Sequence, residues 1–252
     1  INLPLVYEYR DSGVFVMSGE TAKRLSDEEI EKIIGLPVLT DGKAVDVLKN
    51  RGFDLGIAAE RISIRRLNEE FTEHEINSGN AGTRWNGKFL TDEAYKLVGG
   101  NPEVIGRYIK TVPGSEENDG AVANAIITTP KGAKWAVFGF DLLNRTVSTA
   151  KREQIFNSIE YISGKPLSSR MITAFSAMVH PRADKDGSLA CVSITNCTMG
   201  KYENVKIKVQ HEPGTKALLM GQYLTPAELS VDENGIVTIP EIGGWNVATL
   251  FF

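Results

Sequence analysis

Two cysteines and three histidines are all that 252 residues provide for metal ligation and thiol chemistry. His74, His180 and His211 are scattered, and Cys191 and Cys197 have none of the paired spacings of a zinc site, so neither a structural metal nor a cofactor is expected. Both cysteines lie in "ACVSITNC", an alternating run that reads as one strand. Extended chain from 191 to 197 spans ~20 Å, whereas bridged Cα atoms lie within ~7 Å, so both thiols are expected to be free and mostly buried. No apolar run approaches the ~20 residues that cross a bilayer, and the opening "INLPLVYEYRDSG" lacks the basic-then-apolar order of a secretory leader. Clustered positive charge is missing too. The 28 Lys and Arg are interspersed with 32 Asp and Glu, leaving a net charge of −4 and no stripe that could follow a run of phosphates. Nucleic acid is not an expected partner. A chain that begins at Ile1 without Met reads as a processed protein or as a piece of a longer one.

What is present is a folded composition, 42% hydrophobic and 24% charged, long enough for one large domain or two ordinary ones. After the apolar run "VFVMSG", the segment "SDEEIEKIIG" offers Ser26 as N-cap, Glu29 three residues on, Ile30, Ile33 and Ile34 on one face, and Gly35 as a stop. Next, "LPVL" reads as a strand and "TDGKAVDVLKNRG" as a helix, with Ala44, Val47 and Leu48 at helical spacing and Gly52 at its end. Alternation of strand and helix predicts an α/β layer on a parallel sheet. "RISIRRL" alternates like a half-exposed strand. "AVANAIITT" and "KWAVFGF" flank the turn "PKGA" as an antiparallel hairpin, with Trp135 as core. "STAKREQIFNSIEYISG" predicts a helix buried on Ile155, Phe156, Ile159 and Ile162. From Pro166 onward short strands separated by turn clusters predict an all-β sandwich. The expected organisation is therefore an α/β domain over 1–165 and a β-sandwich domain over 166–252. The acidic loop "GSEEND" and the turn "HPRADKDGS" read as solvated connections, the latter lacking the further ligands of a calcium loop.

The segments "VFVMSGETAKRLSDEEIEKII", "GLPVLTDGKAVDVLKNRGF" and "AVFGFDLLNRTVSTAKREQIFNSIEYISG" together resemble the class I glutamine-amidotransferase-like domain that follows the catalytic barrel in some bacterial glycoside hydrolases. The likeness is to the trimerisation-type domain of family 42 β-galactosidases and to proteins of Bacteroides type. Its marks are Asp41, Gly42 and Ala44, then Arg51, Gly52 and Phe53. This resemblance implies a flavodoxin-like three-layer α/β fold over roughly residues 10 to 165. It also implies a catalytic barrel elsewhere in the same parent protein, a possible homo-oligomer, and a periplasmic or secreted setting. The chain departs from amidotransferases at the chemistry. No cysteine precedes Cys191, so the thiol that attacks glutamine is missing, and no Gly-x-Ser-x-Gly elbow replaces it. Ser18, at a strand end, reads as turn chemistry. A (β/α)8 barrel needs ~250 residues of its own, so the resemblance implies a non-catalytic accessory region whose acid and nucleophile lie on another segment.

One stretch keeps two readings open. "TEHEINSGNAGTRWN" gathers His74, Glu75, Asn77, Asn80, Arg84 and Trp85 around two glycines. An indole face with amide, carboxylate and guanidinium groups beside it suits a pyranose, which would make the loop a carbohydrate site. The same residues also suit a glycine-assisted turn whose polar groups bind its own backbone. Glu73 and Glu75, if on one strand, would share a face with Cα atoms ~7 Å apart, a spacing compatible with paired carboxylates. Trp245, after two glycines, is a second candidate sugar platform, so a carbohydrate-binding module stands beside the accessory reading, and a hydrolase acting alone stands as a third.

Overall fold

The computed structural model describes residues 13–62, 67–85, 93–110, 118–140 and 148–252, which fall into two compact units divided between Lys165 and Pro166. The first unit runs β1 (Phe15–Met17), α1 (Gly19–Arg24), α2 (Asp27–Ile33), β2 (Val38–Asp41), α3 (Gly42–Asn50), β3 (Ala58–Ile62) and β4 (Leu67–Phe71). It continues with β5 (Arg84–Trp85), β6 (Ala94–Val98), β7 (Glu103–Lys110), β8 (Val122–Thr128), β9 (Lys134–Phe138) and α4 (Thr149–Ser163). Local chemistry sets the helix ends. Ser26 and Glu29 form a reciprocal capping box on α2, Asp41 caps α3 by accepting from the Ala44 amide, and Ser148 caps α4. Gly164 ends α4 at φ 65°, a left-handed turn that costs glycine nothing.

The sheet order is β1-β2-β9-β8-β7-β4-β5, with β6 joined to β8 and β3 paired to β6. Among the described residues the β1–β2 and β2–β9 pairings are parallel and the other pairings of this sheet are antiparallel. The parallel order expected from strand–helix alternation is found at β1, β2 and β9, and the β8–β9 hairpin is antiparallel as its turn implied. Parallel neighbours need a crossover helix between them, and such helices separate β1 from β2 and follow β2. Beyond Gly56 the strands are short alternating runs. The β8–β9 turn, closed at Gly132 (φ 82°), returns the chain antiparallel. The core gathers Met17, Ile30, Val38, Leu48 and Trp135, and the Trp135 indole N–H donates to the Leu36 carbonyl at 3.0 Å.

In the second unit, β10 (Ser169–Met171), β11 (Ala177–Ala183), β12 (Leu189–Asn196) and β13 (Tyr202–Val209) are followed by β14 (Lys216–Gly221), β15 (Ala227–Ser230), β16 (Ile236–Ile242) and β17 (Val247–Phe251). They form two antiparallel sheets, β10-β13-β16 and β11-β12-β17-β14-β15. Val205, Ile207 and Ile239 of the first share one apolar core with Val192, Ile194, Leu219 and Leu250 of the second, which makes a sandwich. Cys191 lies within β12 and Cys197 one residue past its end; both thiols are free but half-buried, more open than the alternation implied. Among the described residues no helix is long and apolar enough to cross a membrane.

Candidate functional site

The segment from Thr72 to Trp85 folds as a docked loop. A single 3-10 turn, Glu75–Asn77, follows β4, and Ser78 turns the chain at φ 40°. Glu73 is off β4 and Glu75 is in the turn, so the shared strand face that would have paired their carboxylates does not exist. Asn77 is 1% exposed. Its amide donates to the carbonyls of Thr72 (2.7 Å) and Ile105 (3.0 Å), and its Oδ1 accepts from Gln154 Nε2 at 2.8 Å. Both donors are spent inside the fold, which leaves this residue no surface for a glycan. Asn80 Nδ2 donates to Glu153 Oε2 at 3.0 Å, and Asn157 reaches back from α4 to the Ile76 carbonyl at 2.8 Å. The loop is thereby tied to α4 along about one turn of helix.

His74 is half-buried. Its Nδ1 accepts from the Ile76 amide, and its Nε2 sits 3.4 Å from Glu103 Oε2, which also accepts from the Tyr161 hydroxyl at 2.6 Å. Burial raises the Glu103 pKa, but the Tyr161 hydroxyl, Lys134 and His74 outweigh it and hold the carboxyl below its usual value. Glu75 is exposed. Arg84 Nε pairs with Glu70 at 2.8 Å across β4 and β5, and the Trp85 backbone pairs with Glu69. The structure thus brings His74, Asn77 and Asn80 onto α4 or β7, and Arg84 onto β4, rather than around one ligand. Asn86, residues 63–66 of "RISIRRL" and residues 114–117 of the acidic loop lie outside the described residues.

Beneath the loop is a charged cluster that pattern reading missed. Lys151, fully buried on α4, places Nζ 2.7 Å from both carboxylate oxygens of Glu69 and 2.6 Å from Gln154 Oε1. Asn124 Nδ2 donates to the same Glu69, and Gln154 continues the chain of bonds to Asn77. The ammonium also lies 5.0, 5.0 and 4.5 Å from the ring centroids of Phe71, Phe138 and Phe140. Burial outweighs the mutual attraction, pulling Lys151 down to about 8 and pushing Glu69 up. A lysine with a lowered pKa fits a base or a Schiff-base former, but Nζ here is wrapped by a carboxylate, an amide and three rings with no exposure to a substrate. Only the hydrophobic rows of α4 were legible. The partner of Lys151 lies 82 residues away in the chain, so no spacing rule could have found the pair.

The carboxyl ends of the parallel strands, where open α/β sheets bind ligands, hold Ser18, Asp41 and Gly139. Ser18 Oγ accepts from the Thr21 amide and shares a 3.1 Å hydrogen bond with its hydroxyl, so it acts as the cap of α1. Asp41 accepts from the amides of Gly19 (3.1 Å) and Ala44 (2.8 Å), bridging the starts of two helices. Gly139 is enclosed: its amide donates to the Ala123 carbonyl at 2.7 Å and its carbonyl accepts from the Tyr95 amide at 2.6 Å. Among the described residues no three His, Cys, Asp or Glu side chains converge as a metal requires. In the second unit Trp245 is 63% exposed and held at φ 57°, with its indole N–H 3.1 Å from Met199 Sδ.

No protein-family model and no curated protein matches the sequence. Among solved structures, α-L-fucosidase isoenzyme 2 from Paenibacillus thiaminolyticus aligns over 97% of this chain with a TM-score of 0.58 at 11% identity. A β-galactosidase from Bacillus circulans sp. alkalophilus aligns over 94% with a TM-score of 0.52 at 12% identity. This chain spans 42% and 32% of those two chains respectively, so what it is similar to is a minor part of each glycosidase, and at such identities the likeness is one of fold.

Proposed function

We propose that this chain is a non-catalytic accessory region of a glycoside hydrolase, acting in domain packing, in oligomer contacts or in shaping a substrate cleft. The observation that carries the reading is the commitment of Asn77, Gln154, Lys151 and Glu69 to one buried network that clamps the polar loop to α4. Side chains with the right chemistry for a site are consumed as architecture. The strands β1, β2 and β9 with their helices stand as the amidotransferase-like, flavodoxin-like part of a β-galactosidase trimerisation-type domain, and the sandwich follows it. Supporting this, the chain aligns along nearly its whole length with two glycosidases while spanning 42% and 32% of them. The reaction then belongs to a catalytic barrel of the same parent protein, of Bacteroides type and periplasmic or secreted. Incubated with nitrophenyl α-L-fucoside or β-D-galactoside, the purified chain is expected to release no nitrophenol above the buffer rate. Turnover that disappears when one of its own side chains is replaced would sink this reading.

A second reading, glycan binding without catalysis, is favoured by Trp245 alone. A bulky residue in the left-handed region is strained, and here the strain presents an indole to solvent. If it is a sugar platform, fucose or galactose oligomers should quench tryptophan emission in the native chain and fail to do so in Trp245→Ala. Unchanged emission on titration to millimolar oligosaccharide would remove the platform.

A further inference from the structure

Among the described residues, every exposed large hydrophobic side chain lies beyond Pro166, and five of them, Met178, Leu218, Met220, Val247 and Phe251, share one sheet face. Burial alternates along β14 and β17. Ala217, Leu219, Ala248 and Leu250 point into the sandwich, while Leu218, Met220, Val247 and Phe251 point away from it. Pairing registers order the outer face into rows. One row reads Arg182, Cys191, Phe251, Leu218, Glu228 from β11 across to β15. The next reads His180, Ser193, Thr249, Met220, and the third reads Met178, Thr195, Val247.

The first row is self-complementary. Strand β17 is the middle one of the five strands of this sheet among the described residues. A two-fold axis lying in the plane of contact and running along β17 keeps each row in place. It sets β12 of one copy against β14 of the other, and β11 against β15. Phe251 then meets its own equivalent, Leu218 meets Cys191 of the second copy, and Arg182 meets Glu228 of the second copy, twice over. In the next row Ser193 Oγ and Thr249 Oγ1 already share a 2.9 Å hydrogen bond, so their hydroxyls enter the contact satisfied. Arg182 at one edge, Glu228 at the other, where it also pairs with Lys216 of β14 at 3.1 Å, and apolar groups between them fit an isologous contact, in which one patch serves both partners. We infer that the outer face of the β11-β12-β17-β14-β15 sheet is a homodimer interface whose occupant is a second copy of this chain. At a strand spacing of ~4.8 Å the face is about 20 Å wide, which places the total buried area near the low end of specific interfaces.

The test is sedimentation equilibrium of the 252-residue chain from about 1 to 200 μM at low salt, with circular dichroism confirming that each variant is folded. The parent is expected to dimerise, and Phe251→Lys, which sets two ammonium groups on the axis, to remain monomeric. Arg182→Glu and Glu228→Arg are each expected to weaken self-association by about tenfold or more, since each juxtaposes like charges at both edges. Mixed together, these two variants should form a one-to-one heterodimer about as tight as the parent dimer, because every edge pair is opposite again. A monomeric parent overturns the inference. So does a dimer indifferent to Phe251→Lys, which would use another surface, and so does a mixture that associates no better than its components.

Discussion

Replacing Lys151 with Met should lower the unfolding free energy at pH 8 by about 3–5 kcal/mol, and acidification should recover part of the loss. Methionine fills a similar volume, so the effect isolates the charge. Without the ammonium, Glu69 remains 2% exposed beside three phenyl rings, with the Asn124 amide as its remaining polar partner from this network. A buried carboxylate that has lost its counter-ion takes up a proton. The Glu69 pKa already lies above the usual value in the native chain because burial outweighs Lys151 and Asn124, and the substitution raises it further. The sign of the pH effect follows. A group whose folded pKa exceeds its unfolded value contributes stability that is complete below the unfolded value, near 4.5 for glutamate. That contribution is lost as pH rises through the folded pKa. Urea unfolding of Lys151→Met should therefore show the variant closing on the parent as pH falls from 8 towards 5. A further Glu69→Gln exchange in that background should restore much of the deficit at pH 8. A Lys151→Met protein as stable as the parent at pH 8 would show that the pair is not the clamp described here.

That clamp also explains which parts of the molecule could be read from the chain. Signals acting over a few residues were legible: the Ser26–Glu29 capping box, Gly164 in the left-handed region, and the hairpin closed by Gly132 all lie where spacing placed them. Trp135 was legible too, because an aromatic residue inside an apolar strand has few places to go but the core. The partners of the later strands were not legible, because pairing there is decided over long separations in the chain. Strand-then-helix order correctly marks β1 and β2 as parallel, yet alternating strands after Gly56 carry no label saying which neighbour they will pair with. The polar stretch was ambiguous for a related reason. Asn77 has the same side chain whether it faces a sugar or Gln154, and only the position of α4, 77 residues on from Asn77, makes the choice. The charge row on the outer sandwich face was equally hidden, since Arg182 and Glu228 share it only through four strand pairings.

Gly139→Ala should cost about 3 kcal/mol and lower the melting temperature by roughly 6–12 °C, near the upper end of what one added methyl does in a packed interior. A Cβ at this position would collide with the Tyr95 carbonyl oxygen and would lie 2.5 Å from the Tyr108 hydroxyl and 2.7 Å from the Ala123 carbonyl oxygen. Two of the three are backbone atoms fixed in strands β6 and β8, and the third is a fully buried phenol that donates to the Tyr95 carbonyl at 3.0 Å. None of them is the free end of a flexible side chain, so the strain has no cheap outlet. The functional weight of this glycine comes from its place. It stands at the carboxyl end of β9, beside the ends of β1 and β2, where a doubly wound sheet would open a ligand crevice. Here the antiparallel strands β6, β7 and β8 bring backbone and the Tyr108 phenol into that position. The ends of these strands are therefore filled by backbone and by the Tyr108 phenol, which is the packing that the proposed architectural role of this unit calls for. Thermal unfolding followed by circular dichroism decides the matter. A Gly139→Ala protein that melts with the parent would mean that space remains at the strand ends, enough for a ligand crevice of the kind doubly wound sheets open there.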